Sequence, residues 1–189
     1  MILSLSTEAM LSRWRLLRGY EPLRSDHAAS RRDGIDLDSL LLDEIRAWYA
    51  RLLDEAPISM LAVTDIASAI TIEPCGDGSA IATLPDNCRR LLSITLEGWE
   101  GPAVPIYAAD SSAAKLLQRQ TNPFSQSRST APVAFILPDR KVSLYSIPDG
   151  ISSPTVTAAS AVTEPADGTF VFDSSALDTI PKYVFNPLQ

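Results

Sequence analysis

The sequence predicts an α+β fold, because helical periodicity dominates its first third and strand-like alternation dominates the rest. Apolar residues recur at helical spacing before residue 67, and short β-branched runs separated by Asp-Gly and Pro turns follow. The 14 prolines against 8 glycines are typical of many short segments bounded by turns. We therefore expect N-terminal helices, one of them long and amphipathic, packed with a largely antiparallel β-sheet or β-sandwich.

The first helix is predicted to begin after Ser6, whose hydroxyl can cap its free N–H groups. Gly19 and Pro22 are expected to end it. Its apolar positions at helical spacing are Met10, Leu11, Trp14 and Leu17. Residues 24–34 are polar and show no periodicity, which predicts a mobile loop.

The strongest helical pattern begins after Asp36, a good N-cap, and predicts a helix of about 20 residues and about 30 Å. Its continuous apolar stripe consists of Leu37, Leu41, Ile45, Trp48, Tyr49 and Leu52. Pro57 cannot continue the helix without losing a hydrogen bond, but it suits the first turn of a new one. We expect that second, shorter helix over residues 58–66.

The remainder of the chain predicts strands joined by short turns. The strand candidates are residues 69–73, 80–84, 91–96, 133–137, 142–147, 155–162 and 169–172. Asp77-Gly78 between the first two candidates is a hairpin signal. Residues 111–120 predict a short helix or an ordered loop. The segment 182–187 is either an extended tail or an edge strand.

Composition divides the chain into a basic N-terminal helix with a mobile loop at 1–34, a helical part at 35–67 and a mainly β part at 68–189. A short helical insertion interrupts the β part near residues 111–120. At 189 residues the chain suits one domain, or one domain plus an arm. Its net charge of −7 disfavours a general nucleic-acid binder.

The charge is unevenly distributed. Residues 1–32 contain six arginines and three acids, a net of +3, so the rest of the chain carries −10. A basic arm on an acidic body can dock against another copy or an acidic neighbour, and a solvated arginine-rich helix is the alternative. The candidate interface residues are Arg13, Arg15, Arg18, Arg24, Arg31 and Arg32.

Trp99 joins the candidate interface residues, because it follows a predicted strand where its ring can pack on a sheet edge or on a neighbouring subunit. Core or edge packing is the preferred interpretation for Trp99. Trp14 and Trp48 lie on helical apolar faces and are expected in the core.

The residues that usually carry catalysis are sparse. His27, the one histidine, lies in a polar loop without the partners of a catalytic triad, and two cysteines with one distant histidine cannot complete a zinc site. We therefore expect no catalytic, cofactor-binding or metal-binding residues. Cys75 and Cys88 are interpreted as free thiols.

No targeting or membrane segment is expected. The apolar run at residues 1–5 has no basic segment before it and stops at Thr7-Glu8. Nothing approaches the roughly 18 consecutive apolar residues that span a bilayer.

A series of short sequence motifs, here called words, gives the sequence its one resemblance to a known family. The words are Glu55-Ala56-Pro57-x-x-x-Leu61, Leu84-Pro85-Asp86-Asn87-Cys88-Arg89-Arg90-Leu91, Gly98-Trp99-Glu100-x-Pro102, the pair Gln118 and Gln120, Ala131-Pro132-Val133 and Leu144-Tyr145-Ser146. Their order over about residues 36–147 resembles head–tail connector, or neck ring, proteins of tailed phages, as in crAss-like and related phages of gut bacteria. Asn87-Cys88 stands where those proteins usually have Asp-Phe.

The resemblance implies a structural virion protein, not an enzyme, made in the bacterial host cytoplasm and located at the head–tail junction. Such proteins form a ring, usually of twelve copies, that contacts the portal and the adjacent neck or tail proteins. Genomic DNA passes through the ring without being specifically bound, and no cofactor or membrane is involved. The alternative is a non-catalytic binding module for a cell-surface protein or glycan, which would carry a secretion signal and clustered exposed aromatic residues.

Overall fold

A computed structural model describes residues 1–17, 37–75, 77–107, 111–120, 128–148 and 151–181. The described part contains three α-helices: α1 (Thr7–Leu17), α2 (Leu37–Glu55) and α3 (Ser111–Gln120). Its strands are β1 (Ile2–Leu5), β2 (Val63–Asp65), β3 (Thr71–Pro74), β4 (Ser79–Thr83), β5 (Cys88–Leu96), β6 (Pro105–Tyr107), β7 (Val133–Ile136), β8 (Lys141–Tyr145), β9 (Val156–Thr163) and β10 (Phe170–Asp173). The predicted α+β class with largely antiparallel sheets is confirmed.

The chain divides into two compact units. The first unit combines Met1–Ala62 with Glu164–Gln189, and the second is the continuous stretch Val63–Thr163. The long amphipathic helix and both ends of the described chain therefore belong to the first unit, whereas eight of the strands belong to the second.

In the first unit, α1 and α2 pack together beside a two-stranded antiparallel sheet formed by β1 and β10. Leu3 of β1 lies opposite Phe172 of β10, and Leu61 forms a single bridge to Phe172 from the other side. Ser6 accepts hydrogen bonds from the first turn of α1, through its carbonyl to Met10 N and its hydroxyl to Ala9 N, as predicted for the cap.

The core of the first unit is aromatic. Trp48 meets Phe172 edge-on with ring centroids 5.4 Å apart, and Tyr49 meets Phe170 at 5.1 Å. The Tyr49 hydroxyl donates to the carbonyl of Val171 (3.2 Å) and accepts from its N–H (3.1 Å). Burial raises the pKa of Tyr49, so its hydroxyl stays neutral while it ties α2 to β10.

In the second unit, β2-β9-β5 form a three-stranded antiparallel sheet and β3-β4-β8-β7-β6 form a five-stranded sheet. A bridge between Ile94 and Ala103 connects the sheets, so the strands follow one another in the order β2-β9-β5-β6-β7-β8-β4-β3. Side chains from both sheets form a single apolar core, which includes Ala82, Ile94, Trp99, Ala134, Val142, Leu144, Ala159 and Ala161.

The pair β6 and β7 is parallel, and α3 lies in the connection between these two strands. Residues 111–120 are therefore a helix, one of the two forms expected for this segment. The hairpin of β3 and β4 is also as predicted, with Ile72 opposite Ala82. The predictions at Gly19, Pro22, Asp36 and 182–187 lie outside the described residues.

Two local predictions need correction. The helix expected over residues 58–66 is wrong: one 3₁₀ turn at Ile58–Met60 is followed by strand β2. Val63 and Thr64 are β-branched and pair with β9. This strand pairing outweighs the preference of Pro57 for the first turn of a helix. Strand β1 was not expected, because it is four residues long and its partner β10 is distant in sequence.

Candidate functional site

The basic N-terminal residues have different environments. Arg13 is exposed on α1, and Arg15 forms an ion pair with Asp38 near the start of α2. Arg18, Arg24, Arg31 and Arg32 lie outside the described residues. The structure therefore identifies Arg13 as an exposed cation, while Arg15 also links the two helices.

Trp99 lies in the core of the second unit and is only 8% exposed. Its Nε1–H donates to the carbonyl of Ser146 at 3.0 Å, which links the end of β5 to the end of β8. This packing agrees with the preferred interpretation of Trp99 and leaves little of its ring for a neighbouring subunit.

Gly98 explains why a glycine precedes this tryptophan. Its φ is +82°, and a Cβ there would lie 2.8 Å from Cγ of Pro148 and 3.0 Å from Cδ1 of Ile151. A side chain at this position would be strained and would also clash. The turn at Gly98-Trp99 therefore packs directly against Pro148 and Ile151, in the segment that follows β8.

The word Leu84-Pro85-Asp86 has a similar structural role. The N–H of Leu84 donates to the carbonyl of Arg140 at 3.0 Å. The Arg140 guanidinium reaches the Asp86 carboxylate at 2.9 Å and the Asp86 carbonyl at 3.3 Å. These contacts fasten the turn after β4 to the hairpin between β7 and β8.

That hairpin turn contains two consecutive non-glycine residues in the left-handed region. Asp139 and Arg140 both have a φ of 58°. Such a conformation matches the twist of a tight hairpin but is costly for residues with a side chain. The contacts of Arg140 with the segment at Leu84 and Asp86 hold the turn in place, which no local sequence signal indicated.

Aspartates organise several other turns of the described chain. Asp65 accepts hydrogen bonds from the backbone N–H groups of Ala67 (2.9 Å) and Ala159 (3.0 Å), which lower its pKa. The carboxylates of Asp77 and Asp167 accept hydrogen bonds from the hydroxyl and the backbone N–H of the residue two positions later, Ser79 and Thr169. These bonds, chiefly the one from the hydroxyl, lower the pKa of both aspartates. These hydrogen bonds within turns explain why the three aspartates occur at these positions, and no ligand needs to be invoked.

The two cysteines also differ. Cys75 is exposed beside the β3–β4 turn, and Cys88 is buried in the core of the second unit. Burial raises the pKa of the Cys88 thiol, which makes it a poor nucleophile at neutral pH. Both are free thiols, as predicted.

Several large apolar side chains remain exposed on the described surface. On the helices of the first unit they are Leu16 and Leu40. Near the edge of the five-stranded sheet they are Val104 and Tyr107. Single exposed apolar residues are ordinary, but those on otherwise regular helices or edge strands are candidate contacts with other proteins.

Within the described ranges, no group of three or more His, Cys, Asp or Glu side chains is placed to hold a metal ion. In the same ranges, none of the buried residues is polar or charged. No described helix is both long and apolar enough to cross a membrane. The features that stand out are surfaces and turns.

The chain matches no family model, and a search of curated proteins gives no match either.

Proposed function

We propose that this protein is a ring-forming connector subunit at the head–tail junction of a tailed phage, and that it acts through contacts instead of through a reaction. The order of short words between residues 36 and 147 carries this proposal. In the structure, Leu84-Pro85-Asp86 and Gly98-Trp99 lie at turns that tie strands of the second unit together. Two of the words that carry the likeness therefore consist of residues that build the fold.

The charge distribution supports the same function. The chain beyond residue 32 carries a net charge of −10, so phosphates are repelled and DNA passes a channel of such subunits without adhering. The basic segment before residue 33 is of opposite sign and suits docking on an acidic surface of the portal or of an adjacent ring.

The direct test is electron microscopy, in negative stain, of the purified chain mixed with the portal from the same particle. We expect rings stacked on the portal, with one diameter and one copy number. Chains that remain single and unbound at micromolar concentration would refute the proposal. Binding to a cell-surface protein or glycan instead would support the binding-module alternative.

Arg13 allows a sharper test of the docking step. Arg13→Glu reverses an exposed charge, whereas reversing Arg15 would also break its ion pair with Asp38. We expect Arg13→Glu to weaken portal binding at least tenfold, with a steep dependence on salt in the unaltered chain. Lys141→Glu, an exposed reversal on β8, is the matched control and should bind normally.

A further inference from the structure

The outer face of α2 has the pattern of a helix-binding surface. Opposite its buried stripe, heptad spacing places Leu40, Asp43, Ala47, Ala50 and Asp54 along one line. Leu40 is 52% exposed, and Asp43, Ala47 and Asp54 are exposed as well. Two small alanines in the middle of this line allow another helix to approach closely.

The charge of α2 restricts what that helix can be. Between Leu37 and Glu55 it carries five acids and two arginines, a net of −3. Asp43 and Asp54 lie on the outer line itself, although Asp43 also approaches Arg46 at 3.6 Å and Asp54 too has an interaction within the chain. Two copies of α2 facing each other would bring acid against acid, which disfavours a symmetric contact through this face.

The helix α3 has the opposite charge. It contains Lys115 and Arg119 and no acid, a net of +2. These residues are four positions apart and both exposed, so they lie on one face of the helix. Two copies of α3 would also repel each other. The complementary combination is α2 with α3.

We propose that α3 of one copy packs against the outer face of α2 in the next copy. This inference rests on the proposed ring and names the surfaces that form it. Since the two surfaces differ, the contact is heterologous, and repetition generates a closed ring when the rotation between copies allows closure. Lys115 and Arg119 lie about 6 Å apart along α3, and Asp43 and Asp54 about 16 Å apart along α2, so the charges favour the partner but do not set a register. Single surface ion pairs are weak, and Leu40 and the alanines supply the contact area.

Pairing between sheet edges is the rival mode of assembly, and the edges of the second unit are poorly suited to it. Pro74 at the end of β3 offers no N–H for another strand, and β2, at the other end of the strand order, has only three residues. The bridge from Ala103 to Ile94 occupies the approach to β6, so β6 is not a free edge. The helical faces are the better candidates.

A charge-swap experiment on the full chain tests this contact. The first variant carries Lys115→Glu and Arg119→Glu, and the second carries Asp43→Lys and Asp54→Lys. Each variant alone places like charges across the contact, so we expect at least a tenfold higher concentration to be needed for ring formation on the portal. An equimolar mixture restores complementary charges in an alternating ring, and assembly should return to the level of the unaltered chain.

The controls separate this contact from damage to the fold. Glu73→Lys with Lys141→Glu reverses two exposed charges on β3 and β8 and should assemble normally. All variants should keep the thermal midpoint and circular dichroism spectrum of the unaltered chain. Assembly is followed by mass photometry and negative-stain microscopy.

Two results would overturn the contact and leave the proposed function standing: rings that form equally well from each variant, or a mixture that does not restore assembly. If the unaltered chain forms no ring on the portal, both the contact and the proposed function fail.

Discussion

Removing the ring of Phe172 should destabilise the first unit more than any change on its surface. The side chain is fully buried, and its ring lies edge-on to Trp48 at 5.4 Å and tilted to Tyr49 at 6.3 Å. Truncating a buried phenylalanine to alanine costs about 3–5 kcal/mol through lost burial and the cavity left behind. With two aromatic partners lost, we expect Phe172→Ala to lower the free energy of unfolding by about 4 kcal/mol.

The assay is urea unfolding followed by tryptophan fluorescence in a Trp99→Phe background. The chain has three tryptophans, so the signal then comes from Trp14 and Trp48, which lie in the first unit. With a urea dependence of about 2 kcal/mol per molar, Phe172→Ala should lower the midpoint by about 2 M. Phe172→Leu keeps most of the apolar volume and should cost about 1 kcal/mol.

Leu16→Ala provides the control, because this side chain is 71% exposed on α1 and belongs to the first unit, which the fluorescence reports. It should change the free energy of unfolding by less than about 0.5 kcal/mol. A midpoint shift for Phe172→Ala below about 0.5 M would refute the aromatic packing described for the first unit.

Three further predictions follow from single residues of the second unit. Gly98→Ala should cost more than about 2 kcal/mol, because a left-handed backbone is strained for alanine and its Cβ would meet Pro148, whereas Gly101→Ala, with open space around it, should be nearly neutral in thermal denaturation. Asp65 has a pKa below its ordinary value of 3.8, so its contribution is present above that value and is lost as the pH falls through the lowered pKa. The unaltered chain and Asp65→Asn should therefore differ in thermal midpoint at pH 6, and the difference should shrink as the pH falls below 3.8. A disulfide-exchange reagent should modify the exposed Cys75 within seconds and Cys88 only on unfolding, and equal rates for the two thiols would contradict the burial of Cys88.

The elements that the sequence predicted well are those whose signal is local. The stripe of α2 and the Asp77-Gly78 hairpin depend on residue spacing within a few turns, and both elements form as expected. The prediction failed at residues 58–66, where Pro57 favoured a helix but the pairing of β2 with the distant β9 decided the conformation. No local pattern reports such a partner, because β pairing is a tertiary choice.

Contacts between segments that are distant in sequence were harder to predict. Burial of Trp99 follows from its position after β5, but the hydrogen bond to Ser146 depends on a segment about fifty residues away. The ion pair of Arg140 with Asp86 likewise connects two turns that are distant in sequence. The charge asymmetry is visible in the sequence. The shared face of Lys115 and Arg119 follows only from the helical conformation of α3.

The pairing of β1 with β10 has a consequence for how the chain is made. A ribosome releases residues from the amino end, so Ile2–Leu5 emerges long before Phe170–Asp173, the strand it pairs with. The continuous stretch Val63–Thr163 contains all the strands of the second unit, so none of them waits for a strand outside it. Until translation passes residue 173, the aromatic side chains of α2 lack their strand partner, and the nascent chain is most exposed to chaperones and to aggregation in that interval.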